Sequence, residues 1–82
     1  MIFFVYVLRS QSTGNLYTGQ TSNLERRLQE HQEGDARYTR GRGPWTLVYT
    51  EMYSTRSEAM KREKYLKSGQ GREYLKVILT DN

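Results

Sequence analysis

The chain has 82 residues and a formal net charge of +4, from thirteen Lys and Arg against nine Asp and Glu, with one His and no Cys. That length predicts a single domain over residues 1–82 with a small core. Without Cys there is neither a disulfide framework nor a thiolate metal site. With one His there is no all-histidine site, so an ion would be held by carboxylate, carbonyl and water oxygens, which suits Mg²⁺ or Mn²⁺ and not zinc.

The apolar run from Ile2 to Leu8 is too short for a membrane span or a signal segment, and Arg9 follows it at once, so a soluble, cytoplasmic chain with no membrane partner is expected. The same run, unbroken in β-forming residues, predicts a central strand covered on both faces. Ser12 to Asn15 supply turn chemistry, and Leu16 to Gln20 read as the returning strand of a hairpin, which brings Tyr6 and Tyr17 near each other. Ser22 with Glu25 fits a capping box for a helix over Asn23 to Gln32. Gly34 to Pro44, with Arg37, Arg40 and Arg42 among glycines, predicts an exposed basic loop. Trp45 to Tyr53 reads as a third strand, and Thr55 with Glu58 caps a helix over Arg56 to Lys67. The glycines at 69 and 71 break that helix, and Arg72 to Leu79 form a short terminal one.

Turning each residue about 100° from the last puts Arg27 and His31 on the inward stripe with Leu24 and Leu28. Glu25, Arg26, Gln29 and Glu30 fall elsewhere. In the second helix Glu63 lies between Ala59 and Leu66, whereas Ser57, Lys61 and Lys64 face away. A small domain avoids burying unpaired charge, so these placements need an explanation. One is structural: Arg27 pairs with Glu63, and His31 bonds a tyrosine or a backbone carbonyl. The other is chemical: phosphodiester cleavage needs a metal ligand, a cation over the phosphate and a proton acceptor, which Glu63, Arg27 and a tyrosine or His31 supply. Periodicity leaves both open. The basic balance makes a polyanion a reasonable partner under either, and Arg37, Arg40 and Arg42 beside Tyr38 suit a nucleic-acid strand. Trp45 is read as a core residue.

Val5-Tyr6-Val7, Leu16-Tyr17-Thr18-Gly19, the segment Asn23-Leu24-Glu25-Arg26-Arg27-Leu28 with His31, and Ser57-Glu58-Ala59-Met60 leading to Glu63 together resemble the core of the GIY-YIG nucleases. Tyr38 to Pro44 and the Ala59 to Lys67 helix resemble the family's small single-domain bacterial branch. The resemblance implies an α+β fold with a three-stranded antiparallel sheet flanked by helices. It implies a metal-dependent endonuclease acting on DNA, single-stranded DNA for preference, with a non-catalytic nucleic-acid-binding module on the same scaffold as the alternative. Tyr6 becomes the general base or water-positioning phenol, Tyr17 its neighbour, Arg27 the phosphate-holding cation, His31 the partner of Tyr6 or a proton relay, and Glu63 the ligand of Mg²⁺ or Mn²⁺. Gly19, Gln20, Arg37, Tyr38, Arg40 and Arg42 become nucleic-acid contacts. In two places the pattern departs: Gln20 stands where some relatives carry a lysine, and the asparagine that many place downstream of the metal glutamate has no assignable counterpart.

Overall fold

A computed structural model describes residues 1–34, 41 and 43–80, and Thr80 by its backbone alone. Along the chain come β1 (Phe3–Ser10), β2 (Leu16–Thr21), α1 (Leu24–Gln32), β3 (Trp45–Tyr53), α2 (Arg56–Lys67) and α3 (Gly69–Thr80). The strands form one antiparallel sheet in the order β2-β1-β3. The α+β architecture expected from the sequence is therefore present, with β1 at its centre.

Central position explains the composition of β1. Its successive side chains alternate between the faces of the sheet, and both faces are covered. Val5 and Val7 point to one side, against Ala59 and Leu66 of α2 and Leu75 of α3. Tyr6 and Leu8 point to the other, against Trp45, Tyr17, Leu24 and Leu28. Trp45 is buried as expected, at 3% exposure. Removing each such side chain from water contributes about 1.5–3 kcal/mol before conformational entropy is set against it. The sheet thus separates two small cores, one under α2 and α3, the other under α1.

The β1–β2 hairpin closes as the Ser10 N–H donates to the Asn15 carbonyl at 2.8 Å and the Gly14 N–H to the Ser10 carbonyl at 2.9 Å, with Gly14 in the left-handed region at φ 78°. Among the described residues no helix is long and apolar enough to cross a membrane.

Two helix starts differ from expectation. The Ser22–Glu25 capping box does not form, and Asn23 is the N-cap: its side chain accepts from the Arg26 N–H at 3.1 Å. Thr21 Oγ1 accepts from the Asn23 N–H at 3.1 Å, so the chain enters α1 one residue later than the box required. α3 begins at Gly69 instead of Arg72. Gly71 does not break a helix; it lies so close to the end of α2 that an added Cβ would stand 2.0 Å from the Tyr65 carbonyl oxygen. Glycine is needed there for close approach. By contrast α2 is capped as expected, Thr55 Oγ1 accepting from the Glu58 N–H at 3.2 Å.

Candidate active site

The site is built on the α1 side of the sheet, from β1 outward. Tyr6 is paired with Gly19 across the β1–β2 ladder. A Cβ at Gly19 would lie 2.6 Å from the Tyr6 hydroxyl oxygen and 3.2 Å from the Tyr17 ring. Only a residue without a side chain lets the Tyr6 ring lie across β2 there. Tyr17, two residues earlier on the same face of β2, stands with its ring centroid 6.3 Å from that of Tyr6.

α1 completes the group. His31 is 1% exposed, and its Nε2 is 2.8 Å from the Tyr6 hydroxyl. Its ring centroid is 5.7 Å from Tyr6 and 4.9 Å from Tyr17. Burial pushes the His31 imidazole down to about 4, and the nearby Arg27 charge pushes the same way. At neutral pH the ring is uncharged, and in the tautomer with its proton on Nδ1 it accepts from the Tyr6 hydroxyl through Nε2. Burial pushes the Tyr6 phenol up to about 12, with the charges of Tyr17 and Glu63 adding to the rise and Arg27 opposing it. The resting pair is phenol and neutral imidazole.

Arg27 sits at the rim, its side chain 36% exposed, with Nη1 donating to Glu30 Oε1 at 2.9 Å. That bond, chiefly, holds its guanidinium above its ordinary range, and the hydroxyls of Tyr6 and Tyr17 act in the same direction. A fixed cation beside two phenols is arranged to receive an anion. The structure therefore pairs Arg27 with Glu30, and the Arg27–Glu63 salt bridge of the structural reading does not form. Glu30, which the helical wheel turned away, reaches back one turn.

Glu63 approaches from α2. Its Oε2 is 2.7 Å from Lys67 Nζ, its side chain is 22% exposed, and it lines a concavity of about 340 Å³ with Gln20 and Lys64. Lys64, exposed as the wheel has it, also borders this space. Gln20 is on the α2 face of β2 and accepts from Arg56 Nη1 at 3.3 Å. Among the described residues no three His, Cys, Asp or Glu side chains converge as a metal cage. A single accessible carboxylate is an oxygen donor set that fits a hard divalent ion keeping most of its water.

Tyr6, Tyr17, Gly19, Arg27 and His31 are thus brought together, with Glu63 near enough for its charge to act on Tyr6. Arg37, Tyr38, Arg40 and Arg42 lie outside the described residues. Gln32 Oε1 accepts from the Trp45 N–H at 3.1 Å, and its amide donates to the Trp45 carbonyl, which ties the end of α1 to the start of β3. The polar partners Glu30 and Lys67 were not singled out from sequence. Their spacing, three residues from Arg27 and four from Glu63, was the available signal.

Comparison with known proteins points the same way. The model of the GIY-YIG catalytic domain matches residues 2–75. A UPF0213 protein of Oceanobacillus iheyensis is 47% identical over 92% of this chain and 87% of its own length. One from Natronomonas pharaonis is 53% identical over 79% of this chain and 76% of its own. The solution structure of a UPF0213 protein from Bacillus halodurans superposes with a TM-score of 0.59 at 40% identity, covering 95% of this chain and 85% of that one. With a match that takes in both tyrosines, the α1 arginine and histidine and the α2 glutamate, the chain belongs to the GIY-YIG family, whose catalytic domain is a nuclease domain.

Proposed function

We propose that this chain is an endonuclease that hydrolyses DNA phosphodiester bonds with the help of one divalent metal ion, Mg²⁺ or Mn²⁺, and that single-stranded DNA is its preferred substrate. The observation that carries this reading is the buried Tyr6–His31 pair beside the Arg27 guanidinium. Arg27 binds the scissile phosphate and stabilises the charge that grows on its oxygens in the transition state. Tyr17, in ring contact with His31, lines the same opening. An ion held at Glu63 would neutralise phosphate charge and favour ionisation of water.

The two pKa values decide how Tyr6 works. Burial raises the Tyr6 phenol and lowers the His31 imidazole, so both shifts disfavour a phenolate–imidazolium pair formed before substrate arrives. A relay couples the transfer to His31 with attack of the water on phosphorus. The attacking water gives its proton to the Tyr6 oxygen as the Tyr6 proton passes to His31 Nε2. The water oxygen bonds to phosphorus, the ester P–O bond breaks, and the leaving oxygen takes a proton from solvent. A bound phosphate adds negative charge nearby and raises the affinity of His31 for the proton it receives.

The test is to incubate the purified chain and its Glu63→Ala variant with labelled single-stranded and duplex DNA in Mg²⁺, Mn²⁺ or EDTA, and to resolve the products on a denaturing gel. Metal-dependent cutting of the single strand that is lost in the variant is the expected result. Binding without cutting in every condition would reject the enzyme in favour of a nucleic-acid-binding module.

A further inference from the structure

The open edge of β2 carries a continuous trough that the catalytic residues do not account for. It starts at the head of α2, in a concavity of about 450 Å³ between Arg56, Met60, Lys61 and Lys64. The next concavity shares Met60 and Lys64 and adds Glu63, Lys67 and Gln20. A third shares Lys67 and adds Arg72, Tyr17 and Leu16. A fourth shares Arg72 and Leu16 and ends at the β1–β2 turn beside Gly14. Each hollow borders the next at a shared side chain, so the four lie in succession along β2, α2 and the start of α3.

Charge is sorted along this path. Arg56, Lys61, Lys64, Lys67 and Arg72 line it, and Glu63 is the one acid among the described residues that do so. On α2 the side chains of Arg56, Met60, Lys64 and Lys67 fall within an arc of about 80° next to Glu63. Glu58 and Tyr65 are on the opposite side. The eleven residue steps from Arg56 to Lys67 span about 16 Å. Scattered surface lysines are ordinary, but this row leads past Glu63 and on to Tyr17. Met60, 53% exposed in its midst, adds an apolar surface for sugar or base.

We infer that the trough is the track for one nucleic-acid strand on one side of the scissile phosphate, with Arg56, Lys64, Lys67 and Arg72 contacting backbone phosphates. This deepens the nuclease reading and rests on it. Gln20 lies in the same hollow as Lys64 and Lys67, so the cations there come from α2 and not from β2.

Binding measured in EDTA separates the track from the chemistry. Affinity for a fluorescent single-stranded oligonucleotide is followed against salt for the parent and for the triple variant Arg56→Gln, Lys64→Gln, Arg72→Gln. A control, Lys76→Gln with Met52→Glu and Val77→Glu, lowers the net charge by the same three units away from the trough. Each phosphate that the protein neutralises on a single strand adds about 0.7 to the steepness of log affinity against log salt, so the trough variant is expected to lose about 2 units of slope while the control stays close to the parent. Arg56 also stacks on Phe3 at 4.8 Å, so the pair Lys64→Gln, Arg72→Gln, expected to lose about 1.4 units, guards against a folding effect. Equal losses in trough variants and control, or none in either, overturn the track. A parent that cuts DNA while the trough variants bind as it does rejects the track alone. A parent that neither binds nor cuts overturns the nuclease reading with it.

Discussion

The Tyr6 hydroxyl lies 2.8 Å from His31 Nε2, and each of the two side chains is 1% exposed. A buried polar pair of this kind is stabilising only while both members are satisfied, and it holds each ring in one orientation. The contact joins the central strand to α1 and puts a proton donor and a neutral acceptor in line beside Arg27.

Tyr6→Phe removes the hydroxyl and leaves the ring. Loss of one neutral hydrogen bond is expected to cost about 1–2 kcal/mol of stability, measurable by urea unfolding. Cleavage is expected to fall by about 10²–10⁴-fold, the usual contribution of a positioned proton-transfer group. A variant that unfolds as predicted but cuts at the parental rate would show the pair to be structural only.

Stability should depend on pH through His31. Its folded value, near 4, is below the ordinary 6.5, so the unfolded chain takes up a proton that the folded chain does not. The stabilisation is complete above pH 6.5 and is lost as pH falls towards 4. Between pH 6.5 and 5 the loss is about 2 kcal/mol, above the range where carboxylates dominate. Denaturant titrations of the parent and of His31→Gln check this: the slope with pH should be present in the first and absent in the second.

Gly19→Ala places a Cβ 2.6 Å from the Tyr6 hydroxyl oxygen. The ring must move, and the His31 bond moves with it. The expected cost is about 1–3 kcal/mol of stability. Because a displacement of about 1 Å is enough to lower a rate by about 10²-fold, cleavage measured well below the melting temperature should fall by at least that much. Parental activity in this variant would mean that the ring position is not critical.

Much of this site was legible because it follows from periodicity. Hairpin spacing brought Tyr6 and Tyr17 near each other, the α1 wheel put Arg27 and His31 on the inward stripe, and the family resemblance joined them in one site. What was not legible depends on how long side chains lie. Arg27 and Glu30 lie three residues apart, so a wheel separates them by about 60° although the guanidinium reaches across easily. The start of α3 was missed because Gly71 reads as a breaker in sequence, whereas its role, contact with the Tyr65 carbonyl, exists only in three dimensions.

A second polar cluster gives a contrasting prediction. Glu51 on β3 accepts from both Tyr49 and Tyr53 and, in a forked pair, from Arg62 Nε at 2.8 Å and Nη2 at 3.0 Å. Burial alone would raise the Glu51 carboxyl, but the bonds from Arg62 and the two phenols outweigh it and hold it below its ordinary range. Arg62 also lies 5.0 Å from the Tyr65 ring and 5.1 Å from the Tyr74 ring, so one guanidinium ties β3, α2 and α3 together. Register puts this cluster on the other face from the site: Glu51 is paired with Val5, and Tyr6 with Thr50. Arg62→Met leaves Glu51 half-buried without its cation and is expected to cost about 2–3 kcal/mol, which Glu51→Gln in the same chain should partly restore. The rate of cleavage, measured where both chains are folded, should stay within about twofold of the parent. A large fall in rate without a fall in stability would mean that the Glu51–Arg62 cluster takes part in the reaction.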